Sequence, residues 1–187
     1  MKSLILVKHS VPEVVQDVQA REWVLSDVGK IRAERLADRL VSYQPEIVVS
    51  SIEPKAAQTA EIIAQRLGLS VQMIEGLHEH DRSKSPYYSS AEFQQLIQDF
   101  FAQPDTLIFG SETAHQALNR FRVAVDHALN LFDNKAVVIV AHGTVISLFV
   151  EWLTGCNGYD LWRELDLPSF ARIDIQSKQL LEVINLP

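Results

Sequence analysis

The chain has 187 residues, and 47% of them are hydrophobic, which predicts one folded domain spanning residues 1–187 and excludes a disordered chain. Its 24 acidic and 17 basic residues give a formal net charge of −7, which disfavours nucleic acid and acidic membranes as partners. No apolar run approaches the roughly 20 residues that a membrane-spanning helix needs.

Short apolar runs alternate with longer stretches of helical periodicity along the chain. The apolar runs predict buried strands at 4–7, 47–49, 71–74 and 136–140. The helical stretches are predicted to begin at Ser26, Pro54, Ser89, about Ser111 and Thr144. The last runs predict a hairpin or a pair of strands at the sheet edge, at 171–175 and 180–184. This order predicts a single-domain α/β fold with a mostly parallel central sheet and helices on both faces.

Residues with strong positional preferences mark the ends of these helices. Ser26 is a candidate N-cap, and Pro54 suits the first turn of the next helix, which Gly68 is predicted to end. Ser89 is followed three residues later by a glutamate, which is the spacing of a capping box. The polar segment 77–88 that precedes Ser89 is predicted to be a surface loop.

Chemically active side chains follow several of the predicted strands. Lys8-His9-Ser10 comes after the first strand, Lys55 lies in segment 50–55 after the second, and His142-Gly143 follows the strand at 136–140. Because ligands bind beyond the carboxyl ends of the strands in open α/β sheets, we expect these side chains to share one pocket. Lysine side chains, the Ser10 hydroxyl and the helix N-terminus at Gly143 would favour an anion such as phosphate there.

Paired histidines in such a pocket suggest phosphoryl transfer as well as binding. A neutral imidazole is a good nucleophile near neutral pH, and a second, protonated imidazole can stabilise the transition state. A carboxylic acid must then protonate the leaving oxygen. Glu79, in the loop after the third strand, is the candidate, and its neighbours His80 and Asp81 are alternatives.

These segments resemble the motifs of the histidine phosphatase superfamily, also called phosphoglycerate mutase-like, and they occur in the family's order. The Arg-His-Gly and Ser-His-Gly-Gly motifs of the family resemble Lys8-His9-Ser10 and Ala141-His142-Gly143-Thr144. Its Leu-Thr-x-x-Gly-x-x-Gln-Ala and Ser-Ser-Pro-Leu-x-Arg-Ala-x-Gln-Thr-Ala motifs resemble segments 25–33 and 50–60. Its Leu-x-Glu motif resembles Leu77-His78-Glu79, and its Gly-Glu-Ser stretch is loosely similar to Gly110-Ser111-Glu112.

The resemblance implies a role for each matching residue. His9 corresponds to the histidine that is phosphorylated during turnover. His142, Lys8 and Lys55 correspond to the groups that hold the phosphoryl oxygens, and Glu79 corresponds to the acid and base. The family needs no metal and no cofactor, so none is expected here.

The chain also departs from the family's motifs at the expected pocket. Lys8 and Lys55 stand where the motifs have arginine, and Ser10 stands where they have glycine. Lysine is a mobile point charge without the planar fork of arginine, and each lost charge-assisted hydrogen bond costs roughly 1.5–3 kcal/mol. Ser10 would either donate a hydrogen bond to phosphate or only fill space, and Glu53 is close enough in the chain to pair with Lys55.

Two functions therefore follow from the sequence. The first is a phosphatase that hydrolyses a phosphate monoester or a phosphoprotein through phosphorylated His9. The second is a catalytically weak or inactive domain that keeps the anion pocket as a binding or regulatory module. A mutase is a third option, although the chain looks short for the covering segments that a mutase needs.

The remaining expectations concern partners and location. The expected partner is a small phosphorylated substrate or a phosphoprotein, and the loops at 12–23 and 81–109 would determine which. The single cysteine, Cys156, and the absence of a signal-peptide pattern predict a cytoplasmic protein. The remaining histidines lack the spacing of metal ligands, and the oligomeric state is not encoded in any recognisable pattern.

Overall fold

The fold is built on one six-stranded sheet within the described residues, and it is mostly parallel as the sequence predicts. The computed structural model describes residues 3–83, 85–86, 88–133 and 135–186. The strands are β1 (Ser3–Lys8), β2 (Ile47–Ser50), β3 (Val71–Met73), β4 (Val137–Ala141), β5 (Ser169–Asp174) and β6 (Gln179–Asn185). They are arranged in the order β3-β2-β4-β1-β5-β6. The first four of these are mutually parallel, whereas β5 runs antiparallel to β1 and β6 antiparallel to β5.

Helices cover both faces of this sheet, as the sequence predicts. They are α1 (Asp27–Leu40), α2 (Pro54–Leu67), α3 (Ser90–Ala102), α4 (Ala114–Leu131), α5 (Gly143–Thr154) and α6 (Gly158–Glu164). On one face, α1 and α2 pack against alternate strand residues such as Val7 and Val138. On the other face, α3 to α6 pack against the intervening residues, such as Leu6 and Ile139. Within the described ranges, no helix is long and apolar enough to span a membrane.

The predicted helix ends are largely confirmed. Ser26 accepts a hydrogen bond from the Gly29 amide as the N-cap of α1, and Ser89 forms a complete capping box. Helix α2 begins at Pro54 and has Gly68 as its C-cap. Helix α4 begins about one turn later than predicted, because Thr113 and not a residue near 111 is its N-cap.

Some local structure departs from the sequence expectations. The short helix α6 was not predicted, although its N-cap Asn157 has the side chain that such a position prefers. Segment 77–88, predicted as a surface loop, is partly buried, since Leu77 is fully enclosed in the core and His80 is only 2% exposed. Residues 84 and 87 of that segment lie outside the described residues.

The register of the parallel strands brings distant parts of the chain together. Lys8 at the end of β1 pairs with Ala141 at the end of β4, and Ser50 of β2 pairs with Val140. The pattern continues past the strands, because the His9 amide donates to the Ala141 carbonyl (3.0 Å) and the Ser51 amide to the Val140 carbonyl (2.9 Å). The residues that follow β1, β2 and β4 therefore meet at one edge of the sheet.

Candidate active site

The two histidines lie side by side at this edge. Their ring centroids are 5.2 Å apart with an interplanar angle of 62°. Both rings are almost completely enclosed, since His9 is 8% exposed and His142 is not exposed at all. The expectation that the strand ends bring these side chains together is met in the folded chain.

The orientation of His9 leaves one ring nitrogen available for chemistry. Its Nδ1 lies 2.7 Å from the Ser10 carbonyl oxygen. Because a carbonyl can only accept, Nδ1 carries the hydrogen, and Nε2 of the neutral ring keeps its lone pair. Burial, followed by the nearby His142 and Lys55, holds the pKa of His9 well below its usual value. His9 is therefore a neutral imidazole at neutral pH and a competent nucleophile.

His142 contacts the segment that follows β2. Its Nε2 lies 2.9 Å from the Ser51 hydroxyl oxygen and 3.8 Å from Oε2 of Glu53. Burial, followed by the charge of Lys55, holds the pKa of His142 well below its usual value, while Glu79 acts in the opposite direction. Both imidazoles are thus neutral without ligand, so the protonated state expected for one of them requires a bound anion.

The carboxylate of Glu79 caps the helix that begins directly after His142. Oε2 accepts a hydrogen bond from the Thr144 amide (3.2 Å), and Oε1 accepts from the amides of Val145 (3.3 Å) and His80 (2.9 Å). Burial alone would raise the pKa of Glu79, but Arg82, the His142 imidazole once it is protonated in acid, and the His80 amide together lower it to about 2. The anion site predicted at this helix N-terminus is therefore occupied by a side chain of the protein itself.

The two alternative acids lie in different surroundings. The ring of His80 packs against Phe100 and Phe109, and its Nε2 lies 3.1 Å from the Glu112 carbonyl oxygen. The Asp81 carboxylate instead accepts a hydrogen bond from the Ser83 amide (2.9 Å). Of the three candidates, Glu79 is the one bound to the start of α5 beside His142.

Both predicted phosphate-binding lysines already donate to protein acceptors. Lys8 Nζ donates to the Leu165 carbonyl (2.6 Å), and Lys55 Nζ donates to the Ala20 carbonyl (2.7 Å). Lys55 also forms a buried ion pair with Glu53, the pairing that the sequence suggests. Burial lowers the pKa of Lys8, whereas the charges of Glu79 and Asp166 partly restore it. A phosphate group would have to compete with these acceptors.

Ser10 and Gly143 have packing roles in this structure. The Ser10 hydroxyl donates to the Gly29 carbonyl (2.7 Å), and its amide donates to Oγ1 of Thr59 (3.0 Å), so Ser10 joins α1 and α2 to the end of β1. A methyl group at Gly143 would lie 3.1 Å from Cε of Lys8, so the glycine lets this side chain pass closely. Phosphate contacts by Ser10 and Gly143 remain predictions.

A cluster that the sequence analysis missed fixes the loop that carries Glu79. The Arg120 guanidinium donates to the carbonyls of Gly76 (2.8 Å), His78 (2.8 Å) and Glu79 (3.2 Å). Its remaining donors bind both carboxylate oxygens of Glu112, at 2.5 and 3.2 Å. Glu112 lies in the weakly matching stretch 110–112, but nothing in the sequence indicates that Arg120 on α4 reaches this loop.

A cavity of about 840 Å³ opens beside these groups. It is lined mainly by segments 17–23 and 78–83, together with Glu53 and aromatic side chains that include Tyr88 and Phe93. Glu53 and Glu79 line this cavity, whereas the enclosed rings of His9 and His142 do not. The predicted substrate loops at 12–23 and 81–109 thus contribute residues to its wall.

Replacing Glu79 with glutamine is expected to cost stability in a pH-dependent way. A carboxyl group whose pKa falls from 4.5 to about 2 on folding contributes about 3 kcal/mol above pH 4.5. Because the folded-state pKa is depressed, this contribution is lost as the pH falls from 4.5 towards 2. Urea unfolding of both proteins between neutral pH and pH 3 measures the difference, which should shrink on acidification.

The matched control for this prediction is Glu22→Gln. Glu22 is an exposed carboxylate on the wall of the same cavity, and its replacement should change the free energy of unfolding by no more than about 0.5 kcal/mol. A Glu79→Gln difference that stays constant or grows on acidification would contradict the prediction.

Taken together, the fold and the site define an α/β protein with an enclosed pair of histidines, flanking lysines and a carboxylate at the carboxyl edge of parallel strands. No cluster of three histidine, cysteine or acidic side chains suited to a metal ion occurs among the residues that the structure describes. Residues 4–185 match the family model of the histidine phosphatase superfamily (branch 1). The chain therefore belongs to this superfamily, in agreement with the phosphoric monoester hydrolase class predicted from its sequence.

Individual relatives support this membership. The uncharacterized phosphatase PhoE of Bacillus subtilis is 26% identical over 158 residues, which cover 83% of this chain and 79% of the relative. A probable phosphoglycerate mutase, GpmB of Proteus mirabilis, is 26% identical over 190 residues, covering 97% and 88% of the two chains. Their names include both a phosphatase and a mutase.

Solved structures share the fold. A mycobacterial glucosyl-3-phosphoglycerate phosphatase superimposes with a TM-score of 0.74 at 22% identity, covering 91% of this chain and 89% of its own. A variant of phosphoserine phosphatase from Entamoeba histolytica, in complex with phosphoserine, has a TM-score of 0.75 at 19% identity, covering 98% and 96%. At these identities the likeness concerns the fold.

Proposed function

We propose that this chain hydrolyses a phosphate monoester through a phosphohistidine intermediate on His9. The observation that carries the proposal is the hydrogen bond from Nδ1 of His9 to the Ser10 carbonyl, which leaves Nε2 unprotonated. His142, Lys55 and Lys8 lie near this ring, and Glu79 lies beside His142. These side chains supply the charge and proton-transfer groups that phosphoryl transfer needs. The cavity of about 840 Å³ is suited to a small phosphorylated substrate.

In the first step, the lone pair of His9 Nε2 attacks phosphorus and the bond from phosphorus to the ester oxygen breaks. The leaving oxygen keeps the bonding electrons and takes a proton from Glu79. Because Glu79 is ionised in the ligand-free pocket, it holds this proton only when a phosphoryl anion lies beside it and raises its pKa. Lys8, Lys55 and His142 stabilise the oxygens of the transferred group.

In the second step, water attacks the phosphorus of the phosphohistidine. The Glu79 carboxylate accepts a proton from this water, and the bond between phosphorus and Nε2 breaks with its electrons returning to the ring. Phosphate leaves, and His9 regains its lone pair. The sum is hydrolysis of the ester, with Glu79 serving first as acid and then as base.

A second candidate function is favoured by one specific observation. Lys55 is paired with Glu53, and Lys8 donates to the Leu165 carbonyl, so both cations are engaged within the protein. This arrangement is compatible with a module that binds an anion without turnover. In that case the chain would bind phosphate but leave esters intact, and arginine at positions 8 and 55 would be needed for activity.

Phosphate release from a panel of small phosphate esters and phosphopeptides tests the two functions. The phosphatase predicts release well above buffer, together with a rapidly formed phosphoenzyme that is labile in acid and stable in alkali, as expected of phosphohistidine. Phosphate binding by calorimetry without release by the wild-type protein would favour the binding module. Isomerised phosphoester without free phosphate would instead indicate a mutase.

A further inference from the structure

Glu53 lies among the groups that the proposed function assigns to the phosphoryl oxygens. It is the residue before α2 and is only 8% exposed. Its Oε2 pairs with Lys55 Nζ and lies 3.8 Å from Nε2 of His142, while its Oε1 accepts a hydrogen bond from the Glu79 amide (2.9 Å). The carboxylate oxygen thus occupies a place between Lys55 and His142 that a phosphoryl oxygen would otherwise take.

The position of Glu53 relative to the cavity supports the interpretation that its carboxylate takes the place of a phosphoryl oxygen. Glu53 lines the cavity, whereas the rings of His9 and His142 lie almost fully enclosed. A phosphoryl group that enters from the cavity therefore meets the Glu53 carboxylate on its way to these rings. It must either displace this carboxylate from Lys55 or donate a hydrogen bond to it.

The charges around Glu53 limit the charge of the group that fits. Lys8 and Lys55 are balanced by Glu53 and Glu79, and the two histidines are neutral without ligand. Arg82 adds one positive charge near Glu79, and Asp166 adds one negative charge near Lys8. Burial lowers the pKa of His78, so this half-buried ring adds no charge at neutral pH. The three cations Lys8, Lys55 and Arg82 are thus balanced by the three carboxylates of Glu53, Glu79 and Asp166, so a phosphoryl dianion would add two uncompensated negative charges.

We propose that Glu53 is a specificity-determining residue that makes this pocket select a phosphoryl group with one negative charge over one with two. A singly charged phosphoryl group keeps one hydroxyl, which can donate to the Glu53 carboxylate where a dianion would be repelled. This inference rests on the proposed function, because it assumes that the phosphoryl group binds between Lys55 and His142.

Tetrahedral oxyanions of similar size and different charge provide the test at a fixed neutral pH. Perrhenate carries one negative charge and tungstate carries two, and calorimetry with the full chain gives both dissociation constants. Wild-type protein should bind perrhenate at least as tightly as tungstate. Glu53→Gln should shift the ratio of the two affinities towards tungstate by about tenfold or more, because it removes a buried negative charge at the binding position.

Glu61→Gln is the matched control, since it removes the same charge from an exposed position on α2, outside the residues that line the cavity. It should change the affinity ratio by less than about twofold, because exposed charges are strongly screened. A folded Glu53→Gln protein with the same affinity ratio as Glu61→Gln would overturn the inference. So would wild-type protein that binds tungstate tenfold more tightly than perrhenate, a result that needs no variant.

These outcomes separate the inference from the proposed function. Turnover of esters without the shift in oxyanion preference would refute the role of Glu53 and leave the phosphatase intact. A clear shift without turnover of any ester would support the charge selectivity of the pocket and count against catalysis.

Discussion

Replacing His9 with alanine is expected to lower kcat for phosphate release by about a thousandfold or more, because it removes the nucleophile of the first step. The phosphoenzyme should be undetectable in the same protein. KM should change far less, since His142, Lys8 and Lys55 still bind the phosphoryl group. Stopped-flow or steady-state phosphate release with the best ester of the panel measures the effect.

His127→Ala is the matched control for this substitution. His127 is an exposed histidine of α4, outside the residues that line the large cavity, and its loss should leave kcat within about twofold of wild type. Near-native melting of His9→Ala would show that lost activity does not reflect unfolding. A folded His9→Ala protein with kcat within tenfold of wild type would refute phosphohistidine chemistry on this residue.

Replacing Arg120 with methionine is expected to reduce both stability and turnover. The side chain donates to three carbonyls of the loop around Glu79 and to the Glu112 carboxylate, and it is only 20% exposed. Its removal leaves these acceptors without a partner and should lower the free energy of unfolding by about 3 kcal/mol. Urea unfolding measures this loss.

The effect of Arg120 on turnover would come through the position of Glu79. A displacement of about 1 Å at a proton-transfer group can lower kcat about a hundredfold, while KM is much less affected. The pH profile of kcat should also move, because the loop would no longer hold the Glu79 carboxylate against the amides at the start of α5. Arg120→Lys should restore little of the lost kcat or of the native pH profile, because lysine cannot donate to several fixed acceptors in one plane.

Arg122→Met provides the control on the same helix. Arg122 stacks on Trp152 with 4.7 Å between its guanidinium carbon and the ring centroid, an interaction worth about 0.5–1 kcal/mol. Its loss should leave kcat and the pH profile unchanged. An Arg120→Met protein with a native kcat and pH profile would contradict a positioning role, whatever its stability.

The predictable part of the fold came from short-range patterns. Ser26, Pro54, Gly68 and Ser89 act at helix ends through contacts with residues only a few positions away, so their roles are visible in the sequence. Helix α6 escaped prediction because its seven residues are too few for a clear apolar period.

The candidate site was predictable in its location and less so in its details. His9 and His142 follow apolar strands, and parallel strands that are neighbours place their carboxyl ends together. The sequence does not distinguish Glu79 from His80 and Asp81, because a shift of one residue in a loop changes the direction in which the side chain points.

The sequence by itself determined the α/β architecture, the superfamily, and the edge of the sheet where the histidines meet. Apolar periodicity and helix capping depend on residues a few positions apart, and the order of the motifs is a property of the linear chain. All three can therefore be recognised without coordinates. Only the tertiary structure decided that Glu79 caps α5, that Ser10 binds Gly29, that Glu53 stands between Lys55 and His142, and that Arg120 fixes the loop. These contacts join residues distant in the chain, and their geometry depends on how the helices pack against the sheet.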